Sequence, residues 1–407
     1  MITDFLLALQ LVSAQTGAPV DPIPECLRAL QSTFSARGIN VETWRAHTRG
    51  LTLDPRVLSQ LNAQPEFTLA IWDYMAATVD AERIADGQRL MMEHQSTLEA
   101  IRTRYQVDPA VVVAIWGLES NFGRGMGGLP ILRSLATLSC AGRRQLYFRR
   151  ELLAALRITQ AGHFAPSQFV GSWAGAFGHT QFMPGTFEGL AVDFDGDGRK
   201  DVLNSAVDAL ASTANYLRNA GWRPGMPWGV EVQLPRTAGA TAAITGRRVT
   251  HSLSVWTSRH LLRVDGTPLV AAPFTARTTA GLFAPSGADG PVFLVTRNFE
   301  AVYRYNPATS YVLAVLHLAD RIRGGPAFTT LWPTTDPGLS RAERRELQTL
   351  LARRGHAVGP SNGTLTAETR AAVRAEQHRV GMEVTGRPGQ KLLAVLRAAV
   401  PSTPMLR

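Results

Sequence analysis

The stretch Val111-Val-Val-Ala-Ile-Trp-Gly-Leu-Glu-Ser-Asn-Phe-Gly123 carries a single carboxylate, Glu119, in an otherwise apolar run. The run predicts a buried helix that ends in the Ser-Asn-Phe-Gly turn. A carboxylate beside Ile115, Trp116 and Phe122 loses hydration of its charged form, so its pKa should rise towards neutral pH, where it can act as a general acid. The structural alternative is a helix-terminal Glu that pairs with an arginine or a backbone amide.

The composition is that of an ordinary globular protein. The chain has 407 residues, of which 45% are hydrophobic and 18% charged, enough for two or three domains with full cores. The net charge of +10 comes almost wholly from arginine, since Lys200 and Lys391 are the two lysines. These arginines are scattered through Ala-rich helices, so we expect no nucleic acid partner. The charge indicates either a general affinity for an anionic polymer or codon bias.

The first residues leave export open. Residues 1–14 combine a short apolar stretch with a small-residue end, yet Asp4 stands where a secretory signal carries basic residues. Residues 1–23 are therefore either a signal segment or a first amphipathic helix. No tract reaches the roughly 18 apolar residues that cross a membrane. The residues before Cys26 do not resemble a lipoprotein processing site.

The two cysteines, Cys26 and Cys140, fit no zinc or redox motif. They are either two buried small side chains or one bridge in an oxidising compartment. Spacing alone does not decide between these alternatives.

The hydrophobic pattern predicts a mainly α fold. Residues 24–104 and 108–220 show helical spacing of apolar residues, with Gly-rich loops in the second region. Short β-branched runs at about 230–296, one of them Ala243-Ile244-Thr245, predict a small β-rich insertion. Helix returns at residues 310–323. The pattern favours one helical domain with this insertion, ending near residue 323.

The end of the chain is a separate unit. Residues 324–338 are rich in proline and have no clear period, which predicts a linker. Residues 339–398 are Arg- and Ala-rich and long enough for three helices. The sequence therefore predicts a small helical module on a tether.

Two further clusters suit a sugar ligand. The first, Gly171-Ser-Trp-Ala-Gly-Ala-Phe-Gly-His-Thr-Gln-Phe-Met-Pro184, has glycines that let a ligand approach closely. Its Ser172 and Gln181 offer neutral hydrogen-bonding groups for hydroxyl and acetamido groups. The second cluster, Tyr303–Tyr311, supplies aromatic faces and amides before a helix. The alternatives are a Gly-rich turn with a capping serine and a capped helix start with buried tyrosines.

An acidic loop, Asp193–Asp201, follows the pattern of a calcium site. Each candidate ligand offers an oxygen atom at a position where a calcium-binding loop carries a ligand. These ligands are the carboxylates of Asp193, Asp195 and Asp197 at loop positions one, three and five, and the backbone carbonyl of Arg199 at position seven. The twelfth position of a calcium-binding loop usually carries a bidentate Glu, but here it is Asn204, so the affinity for Ca²⁺ (or Na⁺) should be modest. We expect a structural role for the cation and no cofactor for catalysis. The alternative is a hydrated acidic turn.

Three motifs together resemble a known family. They are Trp-Gly-x-Glu-Ser-x-Phe-Gly around Glu119, Gly-Ser-x-Ala-Gly-Ala-x-Gly-x-x-Gln-Phe-x-Pro from Gly171, and Arg-Tyr-Asn-x-x-x-x-Tyr from Arg304. Their order and spacing closely resemble the lytic murein transglycosylase B family (glycoside hydrolase family 103) over residues 24–323. The resemblance implies a lysozyme-like helical catalytic domain with Glu119 as its one catalytic residue.

The resemblance also implies roles for other positions. The substrate-binding positions that it implies are Ser120, Ser172, Gln181, Tyr305, Asn306 and Tyr311. In the acidic loop, it suggests Asp208 as the residue that closes the cation site.

The family cuts the β-1,4 bond between N-acetylmuramic acid and N-acetylglucosamine without water, which leaves a 1,6-anhydro ring. Ordinary glycosidases need two carboxylates, which lie about 5–5.5 Å apart in retaining enzymes and ~6.5–9.5 Å apart in inverting enzymes. The motifs around Glu119 offer no obvious second carboxylate. The acetamido oxygen of the sugar can stabilise the cationic sugar intermediate, and the C6 hydroxyl of the same sugar can attack it. In that case Glu119 alone suffices, first as the acid and then as the base. The alternatives are a hydrolytic muramidase and a non-catalytic wall-binding protein.

The C-terminal unit resembles the peptidoglycan-binding type 1 domain, although Asn362 replaces the usual Asp and Thr385 precedes Gly386. We therefore expect a periplasmic enzyme whose tethered module holds it near peptidoglycan glycan strands. Proteins of cell-wall synthesis or division are further candidate partners. The oligomeric state is left open, with a monomer as the expectation.

Overall fold

The computed structural model describes residues 21–62, 64–235 and 246–399. Residues 1–20, which bear on the signal-segment question, and the predicted Ala243-Ile244-Thr245 run lie outside the described residues. Within the three described ranges, no helix is both long and apolar enough to cross a membrane.

The first part of the chain is helical. Its helices are α1 (Ile23–Ser35), α2 (Val41–Thr48), α3 (Pro55–Ser59), α4 (Pro65–Thr68), α5 (Ile71–Thr78), α6 (Ala81–Glu93) and α7 (Gln95–Tyr105), with a 3₁₀ turn at Gln60–Asn62. Short polar side chains begin several of them. Asp80, for example, caps α6 by accepting a hydrogen bond from the amide of Arg83.

Helices also dominate the middle of the chain. They are α8 (Pro109–Ser120), α9 (Ile131–Cys140), α10 (Gln145–Gln160), α11 (Pro184–Leu190), α12 (Ala206–Asn219), α13 (Leu253–Ser258), α14 (Arg297–Tyr305) and α15 (Thr309–Ile322).

Helix α8 is the one that the apolar run predicts. The side chain of Asp108 caps it, and Pro109 fills its first position, where a missing N–H costs nothing. Residues 110–117 are all buried because α6, α7, α12 and α15 pack against this helix. It therefore carries Glu119 out of the core of the protein.

Two antiparallel sheets accompany the helices. In the first, β1 (Leu129–Pro130) pairs with β2 (Val170–Gly171), so the segment after α8 is joined to the start of the Gly-rich loop. The strands of the second sheet are β3 (Gly229–Gln233), β4 (Gly246–Ser252), β5 (Leu262–Arg263), β6 (Thr279–Phe283) and β7 (Val292–Val295). Their order in the sheet is β4-β6-β7-β3-β5. The predicted mainly α fold with a β-rich insertion is confirmed.

Two hydrophobic cores meet beside α14. One packs α5–α8 against α12, α14 and α15, and the other packs α1–α3 against α9–α11. Tyr216 and Tyr305 contact both cores. The boundary between the cores therefore passes these two tyrosines, next to predicted site residues.

A disulfide crosslinks the second core. Cys26 in α1 is bonded to Cys140 at the end of α9, and their Cα atoms are 5.8 Å apart. Of the two alternatives for the cysteines, the structure contains the bridge.

The predicted linker is packed against the protein. The ring of Phe328 stacks on His317 at 3.8 Å and contacts Phe293 at 4.8 Å. The amides of Thr329 and Thr330 donate to the carboxylate of Glu231 (2.9 and 2.8 Å). These contacts hold residues 326–332 against the protein as a strap, whereas the sequence predicts a linker that tethers the module.

The C-terminal module has three helices, as predicted. They are α16 (Arg341–Arg353), α17 (Ala367–Arg379) and α18 (Gln390–Ala398). Leu347, Leu351, Val373, Leu392 and Leu393 form the centre of a separate apolar core. The module therefore has its own packing, and its position depends on the strap and on surface contacts.

Candidate active site

The turn after α8 holds three consecutive residues in the left-handed region: Asn121 (φ 50°), Phe122 (φ 60°) and Gly123 (φ 84°). This region is rare for a bulky residue such as Phe122, so the surroundings must hold the turn. Gly123 is required by a close approach, because a Cβ atom there would lie 2.6 Å from the ring of His179. The turn fixes the end of the helix that carries Glu119.

Hydrogen bonds to the Gly-rich loop hold this turn. The hydroxyl of Ser120 donates to the carbonyl of His179 (2.5 Å) and accepts from the amide of Gly123 (2.8 Å). The indole N–H of Trp116 donates to Nδ1 of His179 (3.0 Å). Ser120 is buried, so its hydroxyl serves protein groups. The resemblance implies a substrate-facing Ser120, whereas the structure gives it a position that supports the turn.

Glu119 is half-buried, and its Oε1 accepts a hydrogen bond from the hydroxyl of Tyr311 at 2.6 Å. Burial raises the pKa of Glu119 to about 7 from an ordinary value of 4.5. The Tyr311 bond opposes this rise because it favours the carboxylate, and the nearby charge of Glu66 adds to it. A carboxyl that titrates near neutral pH can both give and take a proton.

Tyr311 lies in α15 and is buried. Burial and the charge of Glu119 raise the pKa of Tyr311 well above its ordinary value of 10. Its hydroxyl therefore keeps its proton and donates to the carboxylate. This bond fixes the direction in which the Glu119 side chain points.

Two residues near Glu119 were missed by the sequence analysis. Burial raises the pKa of Tyr74 in α5, and the negative charges of Glu66 and Glu119 raise it further. Neither Tyr74 nor Glu66 belongs to the motifs described above. In one sequence, a tyrosine in an apolar helix looks the same whether it fills a core or lines a site.

Tyr305 ends α14 and connects it to the Gly-rich loop. Its hydroxyl donates to the carbonyl of Thr180, and its ring meets that of Tyr216 edge-on at 4.8 Å. Burial raises its pKa well above 10. The predicted ligand group of Tyr305 is thus occupied by the loop. Asn306 follows at the end of the helix, and its side chain has no hydrogen bond to the described residues.

The Gly-rich loop is tight, and its polar side chains stabilise it. Gln181 is left-handed (φ 52°), and its Nε2 donates to the carbonyls of Met126 (3.0 Å) and Gly178 (2.9 Å). The Ser172 hydroxyl accepts from the amide of Ala176 at 3.1 Å. The Oε1 of Gln181 and the proton of the Ser172 hydroxyl have no partner among the described residues. These groups remain available to a ligand.

The acidic loop gathers three carboxylates. One oxygen from each of Asp193, Asp195 and Asp197 lies within 4.8 Å of the others. Asp193 accepts hydrogen bonds from the amides of Gly196 (2.8 Å) and Gly198 (2.9 Å), which curl the loop around it. Convergent carboxylate oxygens are the ligands that calcium prefers, so the cluster fits such an ion.

Asp208 and Arg199 have different places in this loop. Asp208 is fully buried, and its two oxygens accept from the amides of Phe194 (2.7 Å) and Asp201 (2.8 Å). Burial raises the pKa of Asp208 despite these bonds. It supports the loop from inside and is not among the converging carboxylates. The amide of Arg199 donates to Asp197 (2.8 Å).

A mainly helical domain that holds a half-buried carboxyl of raised pKa beside a Gly-rich loop defines a lysozyme-like class of enzyme. Residues 23–320 match the family described as transglycosylase SLT domain, and residues 340–396 match that described as putative peptidoglycan binding domain. The first match spans well over half of the chain, so the chain belongs to the transglycosylase SLT domain family. The family expected from the motifs and the C-terminal resemblance are confirmed.

Relatives and solved structures agree with this membership. The chain is 30% identical over 263 residues to membrane-bound lytic murein transglycosylase B of Escherichia coli (strain K12). That similarity spans 61% of this chain and 66% of the relative, just under two thirds of it. The crystal structure of SltB3 from Pseudomonas aeruginosa in complex with NAG-anhNAM-pentapeptide has a TM-score of 0.73 and 43% identity, covering 92% of this chain and 99% of SltB3. The structure of Escherichia coli Slt35 in complex with calcium has a TM-score of 0.63 and 26% identity, and the similarity covers 74% of this chain and 93% of Slt35.

Proposed function

We propose that the protein is a peptidoglycan lytic transglycosylase. It cleaves the β-1,4 bond between N-acetylmuramic acid and N-acetylglucosamine and leaves a 1,6-anhydro end. The observation that carries this proposal is the Glu119 carboxyl, whose pKa burial raises to about 7 and whose direction Tyr311 fixes. The similarity to SltB3, which was solved in complex with NAG-anhNAM-pentapeptide, supports a 1,6-anhydro product here.

Glu119 acts twice in this reaction. Its protonated carboxyl donates to the glycosidic oxygen as the bond from that oxygen to C1 breaks, and the acetamido oxygen of the sugar stabilises the positive charge at C1. The resulting carboxylate accepts the proton of the C6 hydroxyl, whose oxygen then bonds to C1. No water is consumed, and Glu119 ends protonated. The hydroxyl of Tyr311 stabilises the carboxylate between the two steps.

The other site residues divide into two groups. The Oε1 of Gln181, the Ser172 hydroxyl and the Asn306 amide are neutral groups suited to the acetamido and hydroxyl groups of the glycan. Ser120 and Tyr305 hold the helix end and the loop in place, since their hydroxyls already bond to carbonyls of that loop. We expect substitutions in the first group to raise KM and those in the second to lower kcat.

A hydrolytic muramidase is the second candidate because of one observation. The negative charge of Glu66 raises the pKa of Glu119, and ordinary glycosidases use a second carboxylate to activate water or to attack the sugar. In that case Glu66→Gln would abolish cleavage and the product would contain one added water.

We also propose a structural calcium ion in the acidic loop. The converging oxygens of Asp193, Asp195 and Asp197 support it, as does the similarity to Slt35, which was solved with calcium. The cation would reduce the repulsion among these side chains and hold the segment that leads into α12. It would supply no chemistry to the glycan.

We infer that the protein works in the periplasm. The Cys26–Cys140 disulfide favours an oxidising compartment, and the family places the enzyme where peptidoglycan lies. Recovery of the native chain from a periplasmic or a cytoplasmic fraction tests this location.

Mass spectrometry of the soluble products from purified wall sacculi tests the reaction. We expect the anhydro product, which is lighter by one water than the hydrolytic product. Glu119→Gln keeps the shape of the side chain and loses the acid, so its rate should fall by ~100-fold or more. A hydrated product would favour the muramidase, and no release of soluble glycan would favour a binding protein.

A further inference from the structure

The C-terminal module is docked on the face of α5 and α6. Arg387 makes two hydrogen bonds to the carboxylate of Asp73 (both 2.7 Å). Arg345 pairs with Glu82, and Arg341 pairs with Asp80. Basic side chains of the module thus meet an acidic face of the catalytic region, which fixes the orientation of the module.

Arg341, at the first position of α16, makes the most constrained of these contacts. Its Nε and Nη2 donate to the two carboxylate oxygens of Asp80 (2.7 and 3.0 Å). Asp80 is almost fully buried, with 3% of its side chain exposed, against 17% for Arg341. The pair also includes the N-cap of α6, since Asp80 accepts from the amide of Arg83. This forked geometry leaves the guanidinium little freedom to move.

The remaining guanidinium nitrogen reaches the catalytic turn. Nη1 of Arg341 donates to Oδ1 of Asn121 at 2.5 Å. Asn121 ends α8 in the left-handed conformation, and Phe122 after it is left-handed as well. The turn begins two residues after Glu119. A strained turn needs contacts that over-determine it, and here one of those contacts comes from the module.

We propose that Arg341 is a positioning residue for the reaction. Its guanidinium, anchored by Asp80, holds the side chain of Asn121 and so keeps the end of α8 in the conformation that presents Glu119 to Tyr311. This inference rests on the proposed role of Glu119. It makes the docked module part of the catalytic assembly, beyond any role in binding the cell wall.

The expected effect is a loss of turnover with little loss of substrate binding. A small displacement of a catalytic group is costly to rate, so Arg341→Ala should lower kcat by about 10- to 100-fold. The KM for short soluble peptidoglycan fragments should stay within about twofold, since the guanidinium of Arg341 is already engaged by Asp80 and Asn121.

The matched control is Arg345→Ala. Arg345 lies one turn further along α16 and pairs with Glu82 across the same interface, yet makes no hydrogen bond to Asn121 among the described residues. We expect this variant to keep the wild-type kcat. Thermal unfolding of each full-length variant establishes that it is folded before rates are compared.

A double-mutant cycle with Asn121→Gly tests the route of the effect. Glycine adopts the left-handed conformation without help, and it removes the group that Arg341 holds. In the Asn121→Gly background, Arg341→Ala should therefore change kcat by less than about twofold, because the two substitutions break the same link.

Three results would overturn the proposal: equal kcat values for Arg341→Ala and Arg345→Ala, a loss that appears in KM alone, or an undiminished loss in the Asn121→Gly background. Failure of the proposed function is seen separately, because the wild-type protein would then release no anhydro product, or Glu119→Gln would remain active.

Discussion

At the scale of single residues, Glu119 links stability to pH. Its pKa is about 7 in the folded protein, against an ordinary value of 4.5. Between these pH values the folded protein binds a proton at Glu119 that the unfolded chain has lost. The free energy of unfolding therefore falls as the pH rises through this window.

The variant Glu119→Gln should lack this loss. We expect it to match the wild type below pH 4.5 and to be more stable above about pH 7, by at most about 3 kcal/mol. Urea denaturation at a series of pH values measures the difference. A stability difference that does not vary with pH would contradict the assigned titration.

Tyr311 should set the alkaline limit of activity. Its hydroxyl favours the carboxylate form of Glu119 and so lowers the pKa of that group. Tyr311→Phe removes the bond, and we expect the fall in kcat/KM at high pH to move to a higher pH while the maximum rate drops. Profiles of kcat/KM against pH measure both effects.

Tyr303→Phe is the matched control for this substitution. The Tyr303 ring faces the guanidinium of Arg247 at 3.7 Å, so loss of its hydroxyl should leave the profile in place. A Tyr311→Phe profile that coincides with that of the wild type would show that the bond does not tune the acid.

At the scale of elements, features that depend on local sequence could be predicted, whereas contacts between residues far apart in the sequence could not. Helix α8 could be predicted because its apolar run and its Asp108-Pro109 start lie within the helix itself. The support role of Ser120 could not, because its partner is the carbonyl of His179, 59 residues away. A single sequence shows that a serine is polar, but not which group it will meet.

The acidic loop shows the same division. Its three converging carboxylates could be predicted from spacing alone, since they lie within five residues. Asp208 could not be placed, because its oxygens are taken up by backbone amides of the folded loop. Its burial beneath the loop depends on how α12 packs.

Calcium should stabilise the protein through this loop. In the ion-free protein Asp193, Asp195 and Asp197 repel one another, so we expect a chelator to lower Tm and calcium to restore it. An ion that binds only the folded protein at 10 to 100 times its Kd adds about 1 to 3 kcal/mol. Differential scanning calorimetry with and without millimolar calcium measures the shift.

The control is the pair of substitutions Asp193→Asn and Asp195→Asn, which removes two of the converging carboxylates. The Tm of this variant should not respond to calcium. A wild-type Tm that is the same in chelator and in calcium would favour the hydrated acidic turn.

At the scale of the whole molecule, the helical architecture and the order of its parts followed from the sequence, whereas the docking of the module did not. Residues 324–338 show no periodic pattern because they do not form a helix or a strand. The ring of Phe328 and the amides of Thr329 and Thr330 instead make individual contacts with side chains of distant elements. Arg341 and Asp80 are 261 residues apart, and each looks like an ordinary surface charge in the sequence. Contacts of this kind appear only when two folded units meet.

The disulfide is the whole-molecule constraint that can be tested most directly. Cys26 and Cys140 are separated by 114 residues, and closing a loop of that length stabilises a chain by ~4–5 kcal/mol in chain-entropy models, before strain is subtracted. The bridge joins α1 to α9 within the second core. We therefore expect the double variant Cys26→Ser, Cys140→Ser to unfold at lower urea concentration while keeping kcat, since the bridge joins α1 to α9 and Glu119 lies at the end of α8. Intact mass should rise by about two daltons when the denatured wild type is reduced, because reduction of one bridge adds two hydrogens. No change in mass would mean that the cysteines remain separate thiols, and a variant with wild-type stability would mean that packing of α1 alone holds it to the second core.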